Sequence, residues 1–222
     1  MKLPIVVATQ NADKAREITE IFVTRRNEPL VAYSLDGVAF VLDRPDHIGA
    51  AVAALPTLIE PPDVEETGAT LEENARIKAR ALADALGVTA IADDTGLEVD
   101  ALDGRPGVRS ARYAGEHASY ADNVAKLVGE LADVPADRRT ARFATVAVAY
   151  RPDGHEVRSR GVVEGVIAET SRGTGGFGYD PVFVPIEGDG RTFAEMSSDE
   201  KHAVSHRGRA FRALADALEE GS

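Results

Sequence analysis

The sequence contains no cysteine and no tryptophan, and aromatic residues make up only 5% of its 222 positions. Without cysteine there are no disulfides, no thiolate metal ligands and no thiol nucleophile. Cations are also scarce, with 25 Lys and Arg against 37 Asp and Glu and a formal charge of −12. That balance supplies no basic footprint for long nucleic acid and no attraction to an anionic membrane. An acidic chain that handles a polyanion needs local cations or a bound divalent metal. No apolar run reaches membrane-spanning length, and the one over residues 3–8 is too short for a signal peptide, so a cytoplasmic location is expected. With 44% hydrophobic residues, a chain of this length can bury the core of one ordinary domain or of two joined lobes.

The stretch around which the chain is organised is Ala90-Ile91-Ala92-Asp93-Asp94-Thr95-Gly96-Leu97, an apolar run followed by two acids, a hydroxyl and a glycine. Unpaired carboxylates are costly in a buried strand, so acids where the run stops point to the mouth of a site at a strand's C-terminal edge. Side chains alternate along a strand, which gives Asp93 and Asp94 different neighbours. One can face a metal while the other orients it or props the loop. Taken alone, the stretch is explained more simply by an Asx-turn in which both acids bond backbone amides.

Before it, residues 3–8 are expected to form a buried strand, and Thr9-Gln10-Asn11-Ala12-Asp13-Lys14 a loop into a helix that carries Ile18, Ile21 and Phe22 to about Thr24. Strand, polar loop and helix aim backbone amides at an anion. Lys14 opposes the helix dipole unless an anion lies there or its side chain points into solvent. Strands are expected at 30–34 and 38–42 and a short apolar helix at 48–55, before Pro56, Pro61 and Pro62. The long segment 36–62 is expected to be peripheral to any chemistry. Thr70 and Glu73 have the spacing of a capping box, which predicts a helix to Leu86 stopped by Gly87. Glu65 and Glu66, in the loop before it, are candidate metal ligands, although capping and dipole complementarity explain them as well. Asn74 and Lys78 share a helix face that is equally read as the solvated one.

Further on, residues 96–102 read as extended, Ser119 and Asp122 start a helix, and 142–150 with 156–168 form an antiparallel hairpin in which Phe143, Thr145, Ala147 and Ala149 share a face. A long hairpin beside βα units predicts a mixed sheet. Gly176-Phe177-Gly178 leaves an aromatic ring accessible, which taken alone is read more simply as a hydrophobic plug than as a platform for a base. Ser197 caps a helix carrying Lys201, and a last amphipathic helix carries Ala210, Phe211, Leu214 and Leu218. Lys201, His206 and Arg207 are a group of cations in an otherwise acidic chain.

Thr9-Gln10-Asn11-Ala12-Asp13-Lys14, Glu66-Thr67-Gly68, Asp93-Asp94-Thr95-Gly96-Leu97, Gly176-Phe177-Gly178-Tyr179-Asp180-Pro181 and Ser205-His206-Arg207-Gly208 together resemble the inosine triphosphate pyrophosphatase family. The motifs come in the family's order and span nearly the whole chain. The resemblance implies an α/β fold with a mixed twisted sheet and flanking helices, a single elongated domain of two lobes over residues 1–222 with a central active-site cleft, and generally a homodimer. It implies hydrolysis of noncanonical purine nucleoside triphosphates (ITP, dITP, XTP) to the monophosphate and pyrophosphate with Mg²⁺, as nucleotide-pool housecleaning. By the same resemblance Asp94 is the general base and a metal ligand, and Glu66 its metal partner. Thr9, Gln10, Asn11, Ala12, Asp13 and Lys14 cradle the phosphates, Thr95 and Lys201 contact the substrate, and Phe177, Gly178, Tyr179, Asp180, His206 and Arg207 hold the nucleoside. Asn74 and Lys78 match the family's helix as well. The spacing from Lys14 to Glu66 exceeds that of compact members, and the excess lies in 36–62. The alternatives are a Maf-like pyrophosphatase of other modified nucleotides and a nucleotide sensor without activity, which would not need both Asp94 and Glu66. An aspartyl phosphatase would need an Asp-x-Asp pair where Thr9-Gln10-Asn11 stands.

Overall fold

The computed structural model describes residues 5–9, 11–25, 30–33, 39–41 and 64–220. The expected helix at 48–55, nearly all of segment 36–62, and Gln10 lie outside the described residues. The strands are β1 (Ile5–Ala8), β2 (Leu30–Tyr33), β3 (Ala39–Val41), β4 (Ala90–Val99), β5 (Pro106–Gly107), β6 (Thr140–Tyr150), β7 (Glu156–Ile167) and β8 (Phe183–Pro185). The helices are α1 (Ala12–Arg25), α2 (Leu71–Leu86), α3 (Tyr120–Glu130), α4 (Ser198–Val204) and α5 (His206–Glu220). The strands are hydrogen-bonded in the order β3-β2-β1-β4-β6-β7-β8, with β5 on β4. β1 runs parallel to β2 and β4, whereas β3 on β2 and β8 on β7 are antiparallel, so the sheet is mixed as expected. Among the described residues no helix is long and apolar enough to cross a membrane.

The chain divides into two compact units, one of Met1–Asp94, Val146–Arg160 and Ala210–Ser222, the other of Thr95–Thr145 and Gly161–Arg209. In the first, neighbouring strand residues go to opposite cores. Val7 and Ile91 pack with Ala15, Ile18, Ile21 and Phe22 of α1 and with Phe211 and Leu214 of α5. Val6 and Ala90 pack instead with Leu82, Ala83 and Leu86 of α2. This is the period-two alternation of a strand covered on both faces. α2 begins at a reciprocal Thr70–Glu73 capping box and ends at Gly87, whose φ of 66° closes the helix in the left-handed region. A cap of this kind contributes about 1 kcal/mol.

The second unit holds most of the scarce aromatic residues. Phe143 of β6, Phe183 of β8 and Phe193 pack with Leu97 and Val99 of β4, Val163 and Ile167 of β7, and Val124 and Leu127 of α3. The Phe143 and Phe183 rings are 4.7 Å apart, and those of Phe183 and Phe193 5.1 Å.

β4 corrects one expectation. It does not stop at the acids but runs on through Asp93, Asp94, Thr95 and Gly96 to Val99, and residues 100–102 form a 3₁₀ turn rather than further strand. What stops is its neighbour: β1 pairs Val6 with Ala90 and Val7 with Ile91, then ends at Ala8. β5 takes up pairing only at Leu97 and Glu98. The acids therefore lie where β4 outlasts its parallel neighbour, inside a continuous strand.

Candidate active site

Asp93 and Asp94 follow the alternation of the strand. Asp93 shares the face of Ile91 and meets Lys14 of α1, whose Nζ lies 3.6 Å from its Oδ2. Asp94 shares the face of Ala90 and meets α2. Asn74 Nδ2 donates to Asp94 Oδ2 at 3.2 Å, and Lys78 Nζ lies 3.6 Å from Asp94 Oδ1. The same ammonium is 2.7 Å from Glu66 Oε1, so both carboxylates converge on one cation. Asn74 is fully buried, and its Oδ1 accepts the Gly68 amide at 2.8 Å. One side chain thus ties the loop of Glu66 to Asp94. A Cβ on Gly68 would lie 2.6 Å from Asn74 Oδ1, which explains the glycine there. The face of α2 bearing Asn74 and Lys78 is therefore not its solvated side, and the acids do not form an Asx-turn.

Burial, the largest influence, pushes the Asp94 carboxyl above the ordinary carboxylate range, while the charges of Lys78 and Lys14 pull it back. For Lys78, burial acts to lower the pKa, but Asp94, Glu66 and Asp93 together outweigh it and hold it above its ordinary value. The lysine stays charged and keeps its two acids close.

The loop before α1 is built differently from the amide cradle read from the sequence. Asn11 Oδ1 accepts the amides of Asp13 at 2.9 Å and Lys14 at 3.1 Å, and the Asn11 amide donates to Thr9 Oγ1 at 3.2 Å. Asn11 is an N-cap, and it satisfies two of the amides that the loop would otherwise aim at an anion. Ala12 opens the helix, exposed, and the Asp13 carboxylate accepts from Arg16 at 2.7 Å. The fixed charge the loop brings to this region is that of Lys14.

A second constellation lies wholly in the other unit. Thr95 Oγ1 is 2.7 Å from Thr145 Oγ1 and accepts from Arg207 Nη2 at 3.2 Å. Asp180 Oδ2 accepts from Lys201 Nζ at 2.6 Å and from the Phe177 amide at 2.8 Å. The half-buried Phe177 ring has Lys201 Nζ at 4.9 Å, Arg207 Cζ at 5.4 Å and the Tyr120 ring at 5.9 Å. The Lys201 charge is thus answered by Asp180, and the cation group is a buried ion pair beside an arginine. His206 is buried and stacks on Phe143 at 4.4 Å. Gly178 adopts φ 63°. Tyr179 has its side chain in the core, where its hydroxyl donates to the Ser110 carbonyl at 2.9 Å, as a buried phenol requires.

The model of the Ham1 family matches residues 5–217. The chain belongs to the Ham1 family. It is 46% identical over 218 residues to a dITP/XTP pyrophosphatase of Geobacter sulfurreducens, covering 96% of each chain. It is 42% identical to one of Streptomyces coelicolor, covering 97% of each. Among solved structures, the Ham1 protein of Staphylococcus aureus is similar with a TM-score of 0.75 and 36% identity over 99% of this chain and all of that one. A HAM1 protein from Coxiella burnetii gives 0.76 and 36% over 98% and 99%.

The metal implied for a Ham1 chain finds a fitting donor set here. Among the described residues no group of three or more His, Cys, Asp or Glu converges. Mg²⁺ does not require one, because it keeps several waters and shares its coordination with substrate phosphates. Glu66 and Asp94 offer two hard oxygen donors around a point that already holds a positive charge, the Lys78 ammonium.

Two members of these constellations carried little signal in the Ham1 sequence. Thr145 is a hydroxyl within an apolar strand, but threonine is a common strand former. Tyr120 follows the N-cap Ser119 and reads only as the start of a helix.

Proposed function

We propose that this Ham1 chain hydrolyses dITP, ITP and XTP to the monophosphate and pyrophosphate, and that it requires Mg²⁺. The observation that carries the reading is Asp94, a buried carboxylate inside a strand, facing Lys78 together with Glu66 and oriented by Asn74. A sensor would not need both acids arranged in this way. Triphosphate hydrolysis is chiefly positioning and neutralisation of charge. Lys14 and Lys78 supply fixed positive charge to the phosphates. Their fields oppose the effect of burial on Asp94, and its raised pKa makes it a better acceptor for the proton of the attacking water. As the water oxygen bonds to phosphorus and the bond to the pyrophosphate leaving group breaks, that proton passes to Asp94. Mg²⁺ held by Asp94 and Glu66 would offset phosphate charge and acidify nearby water. The deciding assay is pyrophosphate release from a panel of nucleoside triphosphates with and without Mg²⁺. Turnover of dITP and XTP well above ATP and GTP is expected, and no release from any member of the panel ends the proposal.

Adenine is discriminated against through donors. Hypoxanthine and xanthine carry an acceptor oxygen at C6, where adenine presents an amino group, and the Arg207 guanidinium can only donate. Arg207→Ala is expected to narrow the ITP/ATP ratio of kcat/KM, since sites built on such bonds discriminate by as much as about 10⁴. Phe177→Ala should weaken both substrates alike, by about tenfold, because a ring stacks on any purine. Ratios unchanged in Arg207→Ala would move recognition to backbone groups.

Mg²⁺ binding should also depend on pH. Because burial raises the Asp94 pKa, the folded chain holds that proton more tightly than the unfolded one. The stability this contributes is present below the unfolded value of about 4 and is lost as pH rises through the folded pKa. Metal binding displaces the same proton, so Mg²⁺ affinity should fall by up to about tenfold per unit as pH drops below the raised pKa. Calorimetric titration with Mg²⁺ alone between pH 5 and 8 measures this, and a flat profile would remove Asp94 from the ligand set. The same reading carries a homodimer and a cytoplasmic role, and a segment 36–62 whose shortening alters association more than kcat.

A further inference from the structure

Of the two side chains that α2 turns toward Asp94, one is fixed and the other can move. Asn74 is fully buried, accepts the Gly68 amide on its Oδ1 at 2.8 Å and donates its Nδ2 to Asp94 Oδ2 at 3.2 Å, so that side of the carboxylate is built into the fold. The other oxygen, Oδ1, faces Lys78 one helical turn further on, at 3.6 Å, and the same Nζ is 2.7 Å from Glu66 Oε1. The oxygens on offer to Mg²⁺ are thus ones that an ammonium already answers. That ammonium is a compact charge on a flexible four-carbon stem, and the Lys78 side chain is 16% exposed, so its tip is not sealed in. Any cation bonded to both oxygens comes within a few ångström of it, where like charges in a largely buried site repel strongly. Metal and ammonium therefore exclude each other from the two acids.

We propose that Lys78 is the counter-ion that bars Mg²⁺ from Glu66 and Asp94 in the free chain, and that a bound triphosphate frees the two acids by drawing the ammonium onto its phosphates. The inference rests on the reading above, in which Asp94 and Glu66 take the metal and Lys78 meets phosphate. It adds a sign to each contact: Lys78 opposes one ligand and favours the other. A nucleotide that holds the ammonium raises the affinity for Mg²⁺, and by linkage Mg²⁺ raises the affinity for the nucleotide by the same factor. The two carboxylates are never left facing each other without a cation, because the ammonium departs as the metal arrives.

The test sets the Kd for Mg²⁺ without nucleotide beside the Kd for XTP in EDTA, both by calorimetry, for the unaltered chain, Lys78→Met and Lys78→Arg. Lys78→Met removes the charge and keeps an apolar stem. It should bind Mg²⁺ about tenfold or more tighter and XTP about tenfold or more weaker, through loss of one charge beside a divalent ion and of one charged hydrogen bond to phosphate. Lys78→Arg keeps the charge and should hold Mg²⁺ as weakly as the unaltered chain does. A residue that only packs would move both constants the same way or neither. Unchanged or weaker Mg²⁺ binding in Lys78→Met therefore overturns the proposal, as does XTP binding no weaker than before. Should Lys78→Met not fold, Lys78→Gln, neutral but able to donate to the same acids, takes its place. Folding of either on addition of Mg²⁺ supports the proposal, because the metal then neutralises the acids as the ammonium did, and failure of both with the metal present makes the ammonium structural and ends it. No Mg²⁺ binding by any variant overturns the proposal and the metal assignment together. If the two constants move in opposite directions while the unaltered chain releases no pyrophosphate from any triphosphate, the proposed reaction fails alone and the exchange of cations stands.

Discussion

Replacing Asp94 by asparagine is expected to lower kcat on dITP by about 10²- to 10⁴-fold, the usual cost of losing a general base. The fold should survive, because the amide has the shape of the carboxylate and can still meet Asn74, while Lys78 keeps Glu66 at 2.7 Å. The thermal midpoint should hold or rise. Burial already disfavours the charged form of Asp94, so a neutral side chain removes part of a standing desolvation cost. A stabilised and inactive variant is the pattern of a residue kept for function at the expense of stability. Near-normal kcat in folded Asp94→Asn would make the carboxylate structural and undo the central assignment.

The largest effect on stability is expected at Lys201. Its side chain and that of Asp180 are 5% and 4% exposed, and they meet at 2.6 Å. Lys201→Met leaves a buried carboxylate without this partner, a change that costs about 3–5 kcal/mol. In a domain of this size that corresponds to a fall in Tm of about 6–20 °C. Adding Asp180→Leu should recover part of it, because an apolar pair removes the uncompensated charge. Asp180 also anchors the Phe177 amide, so the single variant should lose kcat/KM on ITP and ATP together. A fall of less than about 1 kcal/mol, the range of a solvent-exposed ion pair, would show that the Asp180 charge is met by other groups.

Some of this arrangement can be read from the chain and some cannot, for physical reasons. Alternation along a strand is local, and it suffices to send Asp93 and Asp94 to different partners, which prove to be Lys14 and the Asn74–Lys78 face. Capping boxes are local as well, and Thr70, Ser119 and Ser197 each start a helix where their spacing places one. The place where β4 loses its parallel neighbour is not local. It depends on where β1 stops, more than eighty residues earlier in the chain. The polar face of α2 looks the same in sequence whether it meets water or a buried carboxylate. Asn11 reads in sequence as part of a phosphate loop, and only the folded loop puts its Oδ1 on two amides as a cap. Asp180, which meets Lys201 of α4, lies 21 residues away on a loop, beyond any periodic pattern.

The chain returns to its first unit after building the second, since Ala210–Ser222 belongs with Met1–Asp94 and Phe211 and Leu214 complete the core around α1. Order of synthesis therefore matters. At the ribosome's pace of about 5–20 residues per second, roughly 6–23 s separate the making of Asp94 from that of Phe211. Throughout that interval Ile18, Phe22 and Ile91 lack the helix that covers them. The unit that carries Asp94 can close only once α5 has been made, so a message truncated before α5 yields a product with an open core suited to capture by chaperones.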